Sequence, residues 1–245
     1  MQPRLITCRY RFDFSILILY NFQNREGVRA MKKILLIGDS IRMGYDKYVA
    51  MALEGQAEVF YPNENCRFTQ YVLRHFQDWL KDSGFGEDAD LVHWNVGLWD
   101  LLELHGDEPI TPLDWYEKYI HRICRRMQIL CPKAKFVFAT STPINEPMYE
   151  AKLATFKRTN ENIRAYNMAA IRACQEYGVV INDLYGLLEH APDTWFSDKT
   201  HYYTQPATEA ITNRVLDVIH KELGIRGKTL DFTGLFGASN GDIGM

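Results

Sequence analysis

Between Met31 and Leu223, short unbroken apolar runs alternate with longer stretches of helical period, and this alternation restricts the fold more than any other feature. The runs lie at 33–37, 57–61, 90–95, 135–140 and 178–182. They are short and lack a polar alternate face, the pattern of strands covered by helices on both sides. Helical stretches are expected near 41–54, 67–82, 112–130, 155–177 and 205–223. In the third, Tyr119, Ile120, Ile123, Met127 and Leu130 recur at helical spacing, and Pro132 follows its end. Strands alternating with helices predict βαβ units and a parallel sheet. The expected fold class is therefore α/β: a three-layer α/β/α sandwich around a five-stranded parallel, flavodoxin-like sheet.

A chain of 245 residues with 47% hydrophobic and 24% charged residues is long enough for one large domain with a sizeable core. The formal net charge is −3 and no Lys/Arg block stands out, which argues against nucleic acid or an anionic membrane as the partner. No apolar run approaches the ~20 residues that span a bilayer. The five cysteines, Cys8, Cys66, Cys124, Cys131 and Cys174, are scattered, with neither a disulfide framework nor metal-ligand spacing. Together with the lack of a credible signal peptide, this points to the cytoplasm. Residues 1–30 carry five Arg against one Asp and one Glu, and their apolar core, 15–20, is too short for a signal-peptide core. They read as an N-terminal extension, explained by a mis-called translation start or by a short anchor. Residues 31–224 form the α/β domain, and the Gly-containing residues 225–245 read as a loose surface tail.

In a doubly wound sheet, ligands bind beyond the carboxyl ends of the strands. The segments expected there are Gly38-Asp39-Ser40, residues 62–66, residues 95–100, residues 140–143 and Asp198-Lys199-Thr200-His201. A serine hydroxyl needs a base to become a nucleophile, and a histidine base needs a carboxylate to orient it. Asp198 and His201 are spaced so that one tight turn presents both on one side. Ser40 opens a helix, where free N–H groups favour an oxyanion. The plain alternative is that Ser40 or Asp39 is only a helix cap.

Gly38-Asp39-Ser40 after the first strand, with Asp198-x-x-His201 before the last helix, resembles the SGNH (GDSL-type) esterase and lipase superfamily. The resemblance spans residues 33 to about 223. It implies that Ser40 is the nucleophile, His201 the general base and then acid, and Asp198 the orienting carboxylate. It also implies that the Ser40 N–H is an oxyanion donor and that no metal or cofactor is needed. Two blocks depart from the family pattern. Where the family supplies an oxyanion-hole Gly, this chain has Glu64-Asn65-Cys66-Arg67, leaving the Cys66 N–H as the candidate. Where the family has Gly-x-Asn-Asp, it has Gly97-Leu98-Trp99-Asp100, with Trp99 in place of the donor Asn. Asn95 and Asn65 are further candidate donors.

Trp195 and Tyr202 flank the Asp198/His201 segment and either wall the substrate pocket or pack its loop. Cys66 is read as a wall residue, Asp100 as a loop brace, His93 as a core histidine and Arg42 as part of a solvated helix face. The expected activity is hydrolysis of short acyl esters through an acyl-enzyme, on a small-molecule or carbohydrate ester such as an O-acetyl sugar. A lysophospholipase or thioesterase on the same fold, and a non-catalytic acyl-glycan binding module, are the alternatives. A nucleotide binder is disfavoured, because no Gly-rich phosphate loop follows the first strand. The oligomeric state is not legible.

Overall fold

The computed structural model describes residues 30–150 and 155–238. The expected extension lies outside the described residues except for Ala30, and so does Cys8. Everything below concerns the compact unit 31–245.

The five apolar runs form one parallel sheet. Its strands are β1 (Lys32–Ile37), β2 (Ala57–Phe60), β3 (Leu91–Trp94), β5 (Lys135–Ala139) and β7 (Val180–Asn182), in spatial order β2-β1-β3-β5-β7. The central register pairs Ile34 with Leu91 and Leu91 with Lys135. Ile34 to Ile37 are fully buried, because helices cover both faces of the sheet. The helices are α1 (Ser40–Met43), α2 (Asp46–Ala52), α3 (Thr69–Ser83), α4 (Leu113–Leu130), α5 (Glu146–Glu150), α6 (Asn160–Gln175), α7 (Leu184–Leu188), α8 (Gln205–Leu223) and α9 (Phe232–Ala238). Helices α3, α4 and α6 pack side by side, and α2 packs with α8. In α4 the buried residues Tyr116, Ile120, Ile123, Cys124 and Met127 form the core-facing stripe.

Three boundaries differ from expectation for physical reasons. The helix expected at 41–54 is broken into α1 and α2 at Gly44 and Tyr45. The ring of Tyr203 sits 2.8 Å from where a Cβ on Gly44 would be, so only glycine fits there. The helix expected from 155 begins at Asn160, where Thr159 accepts from the Asn162 N–H at 3.1 Å. Just before it, β6 (Phe156–Lys157) pairs antiparallel with β4 (Glu103–Leu104), a second small sheet over the carboxyl ends of the main strands. The reading of residues 225–245 as a loose tail is corrected for the described part, 225–238. The Lys228 N–H donates to the Ala52 carbonyl at 2.8 Å, and α9 lays Phe232 and Phe236 on the Tyr48 ring, at centroid distances of 5.3 and 5.9 Å. Phe232 is buried.

Candidate active site

The chain leaves β1 through Gly38 into the N-cap residue Asp39, so that Ser40 is the first residue of α1. A Cβ on Gly38 would lie 1.9 Å from Asn95 Oδ1, so the strand exit is too tight for any other residue. The Asp39 carboxylate is buried and accepts from the Ile41 N–H and from Asn95 Nδ2, both at 2.9 Å. Burial raises its pKa, and the bonds from Asn95 and Ile41 only partly offset that. Asp39 is thus a brace that fixes the angle at which Ser40 leaves the sheet. The Ser40 N–H belongs to the first turn of a helix, whose N–H groups have no intrahelical acceptor.

His201 reaches Ser40 from the segment before α8. Asp198 Oδ1 accepts from the N–H groups of Thr200 and His201, at 2.7 and 2.8 Å, which closes a tight turn. The turn sets Asp198 Oδ2 2.7 Å from His201 Nδ1 and His201 Nε2 2.8 Å from Ser40 Oγ. Partial burial pushes the Asp198 pKa up, but the bonds from the His201 ring and the two N–H groups outweigh it and hold the carboxyl below its usual range. An ionised Asp198 can only accept, so Nδ1 carries the ring proton and Nε2 offers its lone pair to the Ser40 hydroxyl. Tyr203 stacks on the imidazole, with centroids 4.8 Å apart and planes 19° apart, and its hydroxyl donates to the Ser40 carbonyl at 2.6 Å. Nothing in the residue pattern marks Tyr203 beyond its nearness to His201.

Ser40, Asp198 and His201 border a cavity of about 440 Å³. Leu98, Trp99, Leu102, Met148 and Phe156 form its apolar wall, and Arg158, Lys199 and Thr200 complete it. Leu98, Trp99, Lys199 and Thr200 lie in segments expected beside the cleft, whereas Leu102, Met148, Phe156 and Arg158 do not. Phe156 and Arg158 stand in or beside β6, a two-residue strand too short to leave a periodic trace.

Several expected positions are corrected. The Cys66 N–H donates to the Gly38 carbonyl at 3.0 Å, so it is already committed. Burial pushes the Cys66 thiol up to about 11, which leaves it protonated. Asn65 does not line the cavity and its Oδ1 accepts from the Arg67 N–H at 2.8 Å, while Asn95 is buried against Asp39 and away from the cavity. Of the expected side-chain donors, only Trp99 lines the cavity. Trp195 and Tyr202 do not line it. The Trp195 carbonyl accepts from Thr204 Oγ1 at 2.8 Å, while Tyr202 is buried against Phe196 and donates to the Pro143 carbonyl at 3.2 Å. They pack the loop that carries His201.

Arg42 is also corrected, because its side chain is buried and not solvated. It pairs with Asp46, donates to the carbonyls of Pro62 (3.0 Å) and Glu64, and so ties α1 to the loop after β2. Asp100 braces the neighbouring loop by accepting from Thr69 Oγ1 at 2.6 Å and the Thr69 N–H at 3.1 Å, and burial pushes its pKa up to about 7. His93 lies in the core between Tyr45 and Asn182, and burial pushes its pKa down to about 3. Among the described residues, no three His, Cys, Asp or Glu side chains are grouped to hold a metal ion, and no helix is long and apolar enough to cross a membrane.

A flavodoxin-like sheet with a Ser–His–Asp line at its carboxyl edge defines the class as an α/β/α-sandwich hydrolase. No family model matches the chain. A GDSL esterase/lipase of Arabidopsis thaliana, CPRD49, is 26% identical over 214 residues, covering 78% of this chain and 79% of the relative. The fold is similar to that of a lipase/acylhydrolase from Enterococcus faecalis, with a TM-score of 0.61 and 18% identity, covering 82% of this chain and all of that one (100%). It is also similar to a carbohydrate acetylesterase family member from Sinorhizobium meliloti, with a TM-score of 0.60 and 19% identity, covering 80% of this chain and 100% of that one. The chain is thus similar in sequence to GDSL esterase/lipases and in fold to SGNH-type hydrolases.

Proposed function

We propose that this protein is a serine esterase that hydrolyses short acyl esters, O-acetyl groups on carbohydrates among them, through an acyl-enzyme. The observation that carries the reading is the line from Asp198 through His201 to Ser40, with contacts of 2.7 and 2.8 Å. Ser40 Oγ attacks the ester carbonyl while His201 Nε2 takes its proton. Asp198 holds the imidazole in the required tautomer and stabilises the imidazolium. The tetrahedral oxyanion is held by the Ser40 N–H, with the Trp99 indole N–H as the side-chain donor. The imidazolium then protonates the departing alcohol, and the acyl group stays on Ser40. Water activated by neutral His201 releases the acid and restores the serine. The carbohydrate assignment draws on the acetylesterase likeness. The four free cysteines among the described residues support a reducing compartment such as the cytoplasm.

The test is hydrolysis of p-nitrophenyl acetate, p-nitrophenyl esters of longer acids and an O-acetylated oligosaccharide, by wild type and Ser40→Ala. The expected result is turnover of the short esters that falls by at least about 10³ in Ser40→Ala. Equal rates for the two proteins would reject the mechanism. Saturable binding of the acetylated sugar without Ser40-dependent turnover would favour a binding module.

A further inference from the structure

Two cations stand on the cavity wall beside Ser40 and His201, and neither is in an ion pair among the residues whose side chains are described. Arg158 uses Nε on the Leu98 carbonyl and Nη1 on the Tyr149 hydroxyl, both at 2.6 Å, and its Nη2 donates to no described residue. The Lys199 ammonium lies over the rings of Tyr149 (4.3 Å) and Phe156 (5.7 Å) and makes no hydrogen bond among the described residues. Both cations are thus pinned to the same tyrosine, by a hydrogen bond and by a ring face. The neighbouring residues make the contrast plain. Lys157, one residue before Arg158, is paired with Glu103 at 3.5 Å. The carboxylate on the cavity wall, Asp198, is already engaged by His201 and two N–H groups. Two like charges held on one wall, with no carboxylate bonded to either among the side chains described, repel each other and gain from a bound anion. An arginine with free N–H groups in a fixed plane suits the paired oxygens of a carboxylate or phosphate.

Building on the esterase reading, we propose that the ester this site hydrolyses carries an anionic oxygen group, a carboxylate or phosphate, that seats against Arg158 and Lys199 while its uncharged part lies on the apolar wall. Lys199 and Arg158 are then specificity-determining residues, and a neutral acetate ester is a poor surrogate for the true substrate. The anionic group sits on either the alcohol or the acyl part, and two matched ester pairs separate these cases. The alcohol-side pair is 4-acetoxybenzoate against methyl 4-acetoxybenzoate. The acyl-side pair is mono-4-nitrophenyl succinate against its methyl ester.

The quantity to measure is the ratio of kcat/KM, anionic over neutral, within each pair. For the wild-type full chain at low salt, one pair is expected to favour the anion by about tenfold or more, and the preference shrinks as salt screens the charges. Lys199→Met is expected to lower that ratio about tenfold, and Lys199→Arg to keep most of it. Because the ratio compares two substrates on one protein, loss of folded enzyme does not change it. No anionic preference in either pair, or an unchanged ratio in Lys199→Met, would overturn the proposal while leaving the esterase reading intact. If the wild type hydrolyses no ester, the esterase reading fails instead, and calorimetric binding of 4-hydroxybenzoate against its methyl ester decides the cationic wall separately. Tighter binding of the anion that is lost in Lys199→Met sustains it; equal binding overturns it.

Discussion

Ser40, His201 and Asp198 work only if their surroundings fix them to within a fraction of an ångström, and much of what fixes them lies close in sequence. Asp198 is held by the N–H groups of Thr200 and His201, and Ser40 by the Asp39 cap on one side and the Tyr203 hydroxyl on its carbonyl. That locality is why the three were legible in the sequence: a tripeptide after a strand and a four-residue turn contain most of the geometry. The oxyanion donors were not legible in the same way. Whether the Cys66 N–H is free depends on what the Gly38 carbonyl does, and whether the Asn65 amide reaches the cavity depends on how the loop after β2 is placed. Asp100 supports a prediction at this scale. Its folded pKa, about 7, lies above the ordinary 3.8, so the folded state binds the extra proton between those values. The stability this contributes is fully present below about pH 4 and is lost as pH rises through 7. Asp100→Asn keeps an acceptor for Thr69 but cannot titrate. Melting curves from pH 4 to 8 should show wild type losing up to about 4 kcal/mol relative to the variant. Parallel pH profiles for the two proteins would contradict the assignment.

At the scale of elements, the main strands and long helices were readable because each buries a long periodic face. The pieces that shape the site were not readable, for the opposite reason. Strands β4 and β6 have two residues each, and α1 has four, so none carries a period. Gly44, at the break between α1 and α2, is required by the Tyr203 ring, a contact between segments far apart in the chain. Arg42 was misread for a similar reason. A charge two residues after a helix start normally faces water, but here the loop after β2 folds over it and supplies carbonyls. Removing one member of a buried ion pair strands the other, so Arg42→Met should destabilise the protein by about 3–5 kcal/mol. Urea unfolding monitored by circular dichroism tests this. A change below about 1 kcal/mol would mean that the guanidinium does not hold α1 to the loop.

For the whole molecule, the order β2-β1-β3-β5-β7 brings the ends of β1 and β3 side by side and sets the Ser40 loop next to the Trp99 loop. The alternation of apolar runs predicted this sheet, since a parallel sheet with right-handed crossovers leaves few other arrangements. It did not predict that residues 226–238 return to cover α2. A glycine-containing segment without strong periodicity can still pack when it carries two aromatic rings one helical turn apart, as Phe232 and Phe236 are. Phe232→Ala should cost about 3 kcal/mol, and a thermal melt should move down by about 6–12 °C. An unchanged melting temperature would show that α9 adds nothing to the fold.

The central claim, that Ser40 is an activated nucleophile, is tested most directly by treating the full chain with a fluorophosphonate ester and mapping the adduct by peptide mass spectrometry. The account predicts one adduct per chain, on Ser40, formed in step with loss of esterase activity and at a much lower rate in His201→Ala. Loss of esterase activity with Ser40 unmodified, or an adduct on another residue, would contradict it.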